Sequence, residues 1–83
     1  MTRNEILLNI ASLLAEILDE DSVILSDATE APDIPGWDSF VNINLMIAIE
    51  KSLDIKFRAH EIEELRNVGD MLDTIEHKLM KAK

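Results

Sequence analysis

The stretch SFVNINLMIAIEKSL, residues 39–53, is apolar around most of a helix and so limits the folds that are open to this chain. One apolar stripe suits a core and consists of Leu45, Met46, Ile49 and Leu53. A second stripe, at spacings of three and four, consists of Phe40, Ile43 and Ile47, with Val41 nearby. A chain of 83 residues has little material with which to surround such a helix. The second stripe therefore lines an apolar cleft, lies exposed as a contact patch, or is hidden beneath a loop.

Three further segments carry helical signals. Apolar spacing predicts a helix from Arg3 to Leu18, behind a capping box formed by Thr2 and Glu5. A short helical turn is expected from Ala59 to Leu65. A last helix is expected to follow Asn67, a good N-cap, and its apolar face consists of Val68, Met71, Leu72, Ile75 and Leu79. The cations that complement the dipole at its C-terminal end are Lys78, Lys81 and Lys83.

These segments, with a second helix from Ser39 to about Ser52, predict an all-α fold. We expect a small four-helix bundle of three longer helices and one short one, forming a single domain over residues 1–83. A long first loop, Asp19 to Trp37, separates the first two helices. Its end, IPGW, suits a type II turn, because Pro35 fixes φ and Gly36 supplies a positive φ. Three consecutive apolar residues are expected to pin the loop across the core: Val23, Ile24 and Leu25.

Charge and composition exclude several classes of function. Seventeen acidic residues against eight basic ones give a net charge of −9, and no Lys or Arg lies between Arg3 and Lys51. Such a field repels phosphate backbones, so no nucleic acid is expected as a partner. The absence of cysteine excludes disulfides and thiol nucleophiles. No apolar run is long enough for a membrane span and no signal pattern opens the chain, so a cytoplasmic protein is expected. We also expect a monomer.

Ser39 stands at a chemically distinctive point of the predicted bundle. Asp38, as the N-cap, satisfies the first free N–H groups of the second helix, and Ser39 then occupies its first turn. A phosphate esterified to this hydroxyl would lie where backbone donors and the helix dipole favour negative charge. Asp-Ser is also a common way to start a helix, so the pair alone does not decide the function.

The motif GWDSF, residues 36–40, resembles the Gly-x-Asp-Ser-Leu hallmark of the acyl carrier proteins, the phosphopantetheine-binding carrier family. The resemblance continues through INLMIAIEKSLDIKF, AHEIEEL and RNVGDMLDTIEHKL, and thus covers essentially the whole chain. It implies that Ser39 carries a 4′-phosphopantetheine arm, supplied from coenzyme A by a phosphopantetheinyl transferase. The thiol of that arm would hold acyl groups as thioesters. Asp38 would cap the helix and assist the transferase and its metal.

The resemblance also implies partners. Phe40, Ile43 and Ile47, with Val41 and Glu50, would contact the transferase and the acyl-activating, acyl-transferring or condensing enzymes. The space between the second helix and the later ones would shelter an acyl chain. Carriers of bulk fatty acid synthesis usually have an acid-rich second helix, whereas here only Glu50 is acidic. A carrier of a dedicated pathway is therefore expected. A D-alanyl or aminoacyl carrier stays open, because those carriers also have an Asp-Ser-Phe type of motif.

Three other functions compete with that of a carrier. An enzyme with Ser39 as nucleophile is not expected, because neither His60 nor His77 belongs to a triad signature, and no catalytic residue is assigned. A metal site is not expected, because Asp73 with His77, and His60 with its neighbouring glutamates, supply too few ligands. A helical interaction module without a prosthetic group remains the serious alternative, because the second apolar stripe alone would serve it equally well.

Overall fold

A computed structural model describes residues 1–81, and in this range the chain is all-helical without strands. The four α-helices are α1, Arg3–Leu18; α2, Ser39–Leu53; α3, Ala59–Glu63; and α4, Val68–Lys81. The predicted bundle of three longer helices and one short helix is therefore confirmed. One short 3-10 helix, Ala31–Asp33, lies within the first loop and was not predicted. Lys83, expected beside Lys78 and Lys81, lies outside the described residues.

The core is shared by the three longer helices. α1 contacts both α2 and α4, and so forms the centre of the packing. Its fully buried side chains are Ile6, Ile10 and Leu14. Facing them from α2 and α4 are Leu45, Met46, Ile49, Val68, Met71, Leu72 and Ile75. Burial of each large aliphatic side chain stabilises the fold by about 1.5–3 kcal/mol relative to exposure.

The ends of the helices are satisfied by local side chains and backbone. Thr2 and Glu5 form the expected capping box, with the Thr2 N–H donating to Glu5 Oε1 over 2.8 Å. That bond lowers the pKa of Glu5 below its ordinary value. Asn67 Oδ1 accepts the Asp70 N–H over 2.8 Å at the start of α4, as predicted. Asp19 and Asp54 follow α1 and α2 as their C-caps, and both take left-handed backbone conformations.

The first loop packs on the bundle and builds the entrance to α4. Leu25 is buried and Val23 is partly buried, but Ile24 points into solvent. Two of the three apolar residues therefore hold the loop on the core, and the prediction for Ile24 was wrong. The carbonyls of Asp27 and Thr29 accept the N–H groups of Gly69 and Val68, each over 2.8 Å. These donors are among those that a helix start leaves without an intrahelical partner.

Arg3 fastens this loop to both terminal helices. Its guanidinium donates to Asp27 Oδ2 over 2.9 Å and to Asp73 Oδ1 over 2.8 Å, and it also pairs with Glu76. Gly69 leaves room for the loop, because a Cβ there would lie 3.0 Å from the Asp27 carbonyl oxygen. These contacts fix the first loop, and with it the chain that leads into α2, against the start of α4.

Candidate functional site

The chain approaches α2 through the predicted turn. The Trp37 N–H donates to the Ile34 carbonyl over 3.2 Å, and Gly36 has a φ of 89°, as a type II turn requires. A Cβ on Gly36 would lie 3.2 Å from a methyl of Leu18, which leaves little room for a side chain. The turn therefore sets the direction in which the following three residues enter the helix.

Trp37 anchors the turn inside the molecule. The indole is buried in the core cluster, and its Nε1–H donates to Asn42 Oδ1 over 3.1 Å. Sequence reasoning did not identify this pair. The sequence did contain a signal for this hydrogen bond. Asn42 is a polar residue within an apolar helix, and it follows shortly after the one Trp of the chain. A buried indole N–H needs an acceptor, and Asn42 is within reach of it.

Asp38 and Ser39 form the start of α2 as predicted. Asp38 has extended backbone, and its Oδ1 accepts the Val41 N–H over 2.8 Å, which makes it the N-cap. Ser39 is the first residue of the helix and is exposed. Within residues 1–81, no group hydrogen-bonds the Ser39 hydroxyl. The hydroxyl thus stands at the positive end of the helix dipole, accessible to a large partner.

The second apolar stripe of α2 is exposed. Phe40, Ile43 and Ile47 are 74%, 57% and 44% exposed, respectively, and we call this set the outer apolar face. Neither the first loop nor the short α3 covers it, which decides among the alternatives that the sequence left open. Val41 differs from these three, because it is half-buried and packs against the core.

Glu50, the one acidic residue of α2, is engaged within the molecule. Its Oε2 accepts the Phe57 N–H over 2.7 Å, and its side chain is half-buried. This bond ties the segment after α2 back onto the helix. α2 therefore contributes no free carboxylate to the surface around the outer apolar face.

The features of the rival readings do not converge on a site. His60 and His77 are both exposed, on α3 and α4. Among residues 1–81, no group of three or more His, Cys, Asp or Glu is placed to hold a metal ion. Within the same range, none of the helices combines the length and the hydropathy that crossing a bilayer demands.

Comparison with known proteins places this arrangement in a class. No family model matches the sequence. The structure is similar to the solution structure of the holo acyl carrier protein from Geobacter metallireducens, with a TM-score of 0.82 and 35% identity, covering 92% of this chain and 88% of that one. The fold is therefore that of a helical carrier protein.

Curated relatives agree over nearly the full length. An acyl carrier protein from Exiguobacterium is 30% identical over 79 residues, which cover 95% of this chain and 100% of the relative. One from Prochlorococcus marinus is 33% identical over 79 residues, covering 94% and 98%. The chain belongs to the acyl carrier protein family. Members of this family are carriers rather than enzymes, and they hold acyl groups on phosphopantetheine.

Proposed function

We propose that the chain carries acyl intermediates as thioesters on a 4′-phosphopantetheine arm attached to Ser39. The observation that carries the proposal is the exposed Ser39 hydroxyl at the positive end of α2, beside the capping Asp38. A phosphodiester there would meet the backbone N–H groups of the first turn that the cap leaves free. The arm supplies the thiol that a chain without cysteine lacks.

Attachment of the arm is a transfer to Ser39 that a separate phosphopantetheinyl transferase catalyses. A bond forms between Ser39 Oγ and the β-phosphorus of coenzyme A, while the phosphoanhydride bond breaks. Adenosine 3′,5′-bisphosphate leaves, and the hydroxyl proton is released. The chain contributes an accessible hydroxyl and a rigid approach, fixed by the Gly36 turn and the buried Trp37.

A dedicated biosynthetic pathway, for a specialised lipid, a polyketide or a related product, fits this carrier better than bulk fatty acid synthesis. α2 has no acid in its first turn, and its one acid, Glu50, already accepts the Phe57 N–H. Docking of partners on α2 therefore depends on apolar contact more than on charge. Partners adapted to such a surface would be the dedicated enzymes of one pathway.

The partners are the transferase and enzymes that activate, transfer or condense acyl groups. We place their contact on the outer apolar face, where Phe40 adjoins Ser39 and Ile43 and Ile47 continue along the helix. Val41 and Glu50 border this surface, although Val41 packs inward and Glu50 is hydrogen-bonded. Contiguous exposed apolar side chains of this kind mark interaction sites.

Mass spectrometry after loading tests the attachment site. Incubation with coenzyme A, Mg²⁺ and a broad-specificity transferase should add the mass of one phosphopantetheine group. Ser39→Ala should abolish the gain, whereas Ser52→Ala, which removes an exposed serine near the other end of α2, should keep it. An unmodified wild-type mass would refute the carrier assignment and favour an interaction module without a prosthetic group.

Loading kinetics test the docking surface. Phe40→Ala and Ile47→Asp should slow loading, because each removes contact area from the outer apolar face. Leu8→Asp is a matched control, since Leu8 is a similarly exposed apolar residue on α1. The helical circular dichroism signal should stay unchanged in all three variants. Equal slowing by Leu8→Asp would assign the effect to general surface charge and contradict docking on α2.

A further inference from the structure

The first loop contains a short segment, residues 22–25, whose backbone is unpaired. Its N–H and carbonyl groups have no hydrogen-bond partner within residues 1–81, and the segment belongs to neither a helix nor a turn. The residues on both sides of it are bonded. The Glu20 N–H donates to the Ala15 carbonyl over 2.9 Å, and the Ser26 N–H donates to Thr29 Oγ1 over 2.9 Å.

The side chains of this segment alternate between the core and solvent. Val23 is half-buried, Ile24 is 90% exposed, and Leu25 is buried. A period of two is typical of an extended chain, because its successive side chains point to opposite sides. The free backbone groups of an extended chain can pair with a second strand, as those at the edge of a sheet do. We therefore call residues 22–25 the loop edge.

A groove with a volume of about 450 Å³ lies between the loop edge and α1. Its wall includes apolar or small side chains from both elements, namely Leu8, Ala11, Ser12, Ala15 and Val23. Paired strands lie about 4.8 Å apart, so a strand added on this side of the loop edge would cover the groove. Every second side chain of that strand would then point towards Ala11 and Ala15, which are small enough to leave room for it.

The charge around the groove favours a basic occupant. Three acidic residues line it, and no Lys or Arg does so: Glu16, Glu20 and Asp21. A segment with Lys or Arg at alternate positions would be attracted to these carboxylates. The aliphatic part of such a side chain can also pack on an exposed apolar residue, and Ile24 is available for this contact.

A second copy of this chain does not suit the loop edge. Antiparallel pairing of two copies about Ile24 would set Asp21 of one copy opposite Asp27 of the other, at both ends of the pair. Like charges in directly opposed positions destabilise paired strands. Each copy also has a net charge of −9, so the copies repel each other as a whole. The occupant is therefore a different protein.

We propose that the loop edge binds an extended basic segment of a partner protein, which pairs with it as an added β-strand. Apolar side chains at alternate positions of that segment would enter the groove, and Lys or Arg at the other positions would face the carboxylates of Glu16, Glu20 and Asp21. None of these residues belongs to the outer apolar face or to the approach to Ser39. The inference therefore goes beyond the proposed function and does not depend on it.

A synthetic peptide tests strand addition. The probe is acetyl-Lys-Val-Arg-Val-Lys-Val-amide, titrated into the full chain labelled with ¹⁵N. Binding should slow amide hydrogen exchange at alternate residues of the loop edge, because an added strand bonds to every second residue. A control peptide with every internal amide N-methylated keeps the charges and side chains but cannot donate backbone hydrogen bonds. It should bind at least about fivefold more weakly.

A substitution tests the position of the contact. Ile24→Ser removes the exposed apolar side chain without a change of charge, and it should weaken peptide binding roughly three- to tenfold. Met80→Ser is the matched control, because Met80 is an exposed apolar residue of α4 outside the groove. It should bind the peptide as the wild type does. Loading of Ser39 should be unchanged in both variants, so this result and the carrier assignment are tested separately.

Four outcomes would overturn the inference. The first is that the peptide does not bind. Equal binding of the N-methylated peptide would show that charge alone attracts it. Equal weakening by Met80→Ser would place the contact elsewhere. Dimers of the chain alone, with slow exchange at alternate residues of the loop edge, would assign this segment to a second copy.

Discussion

α2 and α4 have nearly the same length, 15 and 14 residues, yet they use their apolar side chains in opposite ways. α4 buries Val68, Met71, Leu72 and Ile75, and the one large apolar side chain that it exposes is Met80. α2 buries three residues, Leu45, Met46 and Ile49, and exposes Phe40, Ile43 and Ile47. α4 is thus an amphipathic helix with its apolar side packed into the core, whereas α2 has three further apolar side chains that lie outside the core.

The buried and the exposed apolar side chains have different roles, the first in folding and the second in binding. Burial stabilises a side chain relative to exposure, so the apolar residues of α4 and the inner side of α2 stabilise the bundle. The outer apolar face gains less of this stabilisation while the chain is alone, because its three side chains are 44–74% exposed. The contact with partner enzymes proposed above would account for these residues, since Phe40 follows Ser39 directly in the chain.

Two isoleucines of α2 provide the largest expected contrast. Ile49 is fully buried, so Ile49→Ala should lower the free energy of unfolding by about 2–5 kcal/mol through lost burial and a cavity. Ile47 lies two residues earlier on the outer apolar face, and Ile47→Ala should change it by less than about 1 kcal/mol. Urea denaturation followed by circular dichroism measures both. Similar losses would show that the two faces of α2 do not differ in role.

The N-caps give a smaller, paired effect. Asp38→Ala and Asn67→Ala each remove a side-chain oxygen that accepts a helix N–H, so each should cost about 1 kcal/mol of unfolding free energy. Only Asp38→Ala should also slow transfer of the arm to Ser39, because it alone disturbs the start of α2. Thermal denaturation and the mass-based loading assay distinguish the two effects. Equal slowing of loading by Asn67→Ala would point to general destabilisation.

The smallest expected effect concerns the polar side of α4 and depends on pH. Lys78 Nζ lies 2.8 Å from Glu61 Oε1, and this ion pair, with the Arg58 N–H, lowers the pKa of Glu61. The pair should therefore contribute fully above pH 4.5, the ordinary value for Glu61. Its contribution should be lost as pH falls from there through the lower folded pKa. Being partly exposed, it should be worth less than about 1 kcal/mol.

Glu61→Gln provides the measurement. The variant should be less stable than the wild type at pH 7, and the difference should shrink as the pH is lowered below 4.5. Denaturation curves at several pH values follow this directly. A difference that stays constant across the range would show that Glu61 acts through packing rather than charge.

Most of the framework could be predicted from the sequence because its signals are local. The Thr2 capping box, the Gly36 turn and the Asp38 cap each depend on residues within a few positions, and all three were confirmed. The end of α3 was predicted two residues late, because Ile62 and Leu65 pack on the core from a helix and a loop alike.

The features that sequence could not supply depend on distant contacts. Whether the outer apolar face is covered depends on where the first loop lies, and that is set by Asp27 and Thr29 meeting the start of α4. The pairing of the Trp37 indole with Asn42 depends on the direction of the turn. Neither relation has a spacing that identifies it, since both depend on how the separate segments meet in space.

The loop carbonyls that meet α4 also have a consequence for engineering the chain. Residues 27–29 accept the first N–H groups of α4, a helix that begins about forty positions later. The lengths of chain that join these residues to α1 and α2 are therefore constrained by the position of α4. The exposed residues Asp21 and Ser22 make no backbone hydrogen bond to a helix among residues 1–81. An inserted epitope or labelling tag therefore belongs at Asp21, whereas the same insertion at Ala28 would detach the last helix from its support.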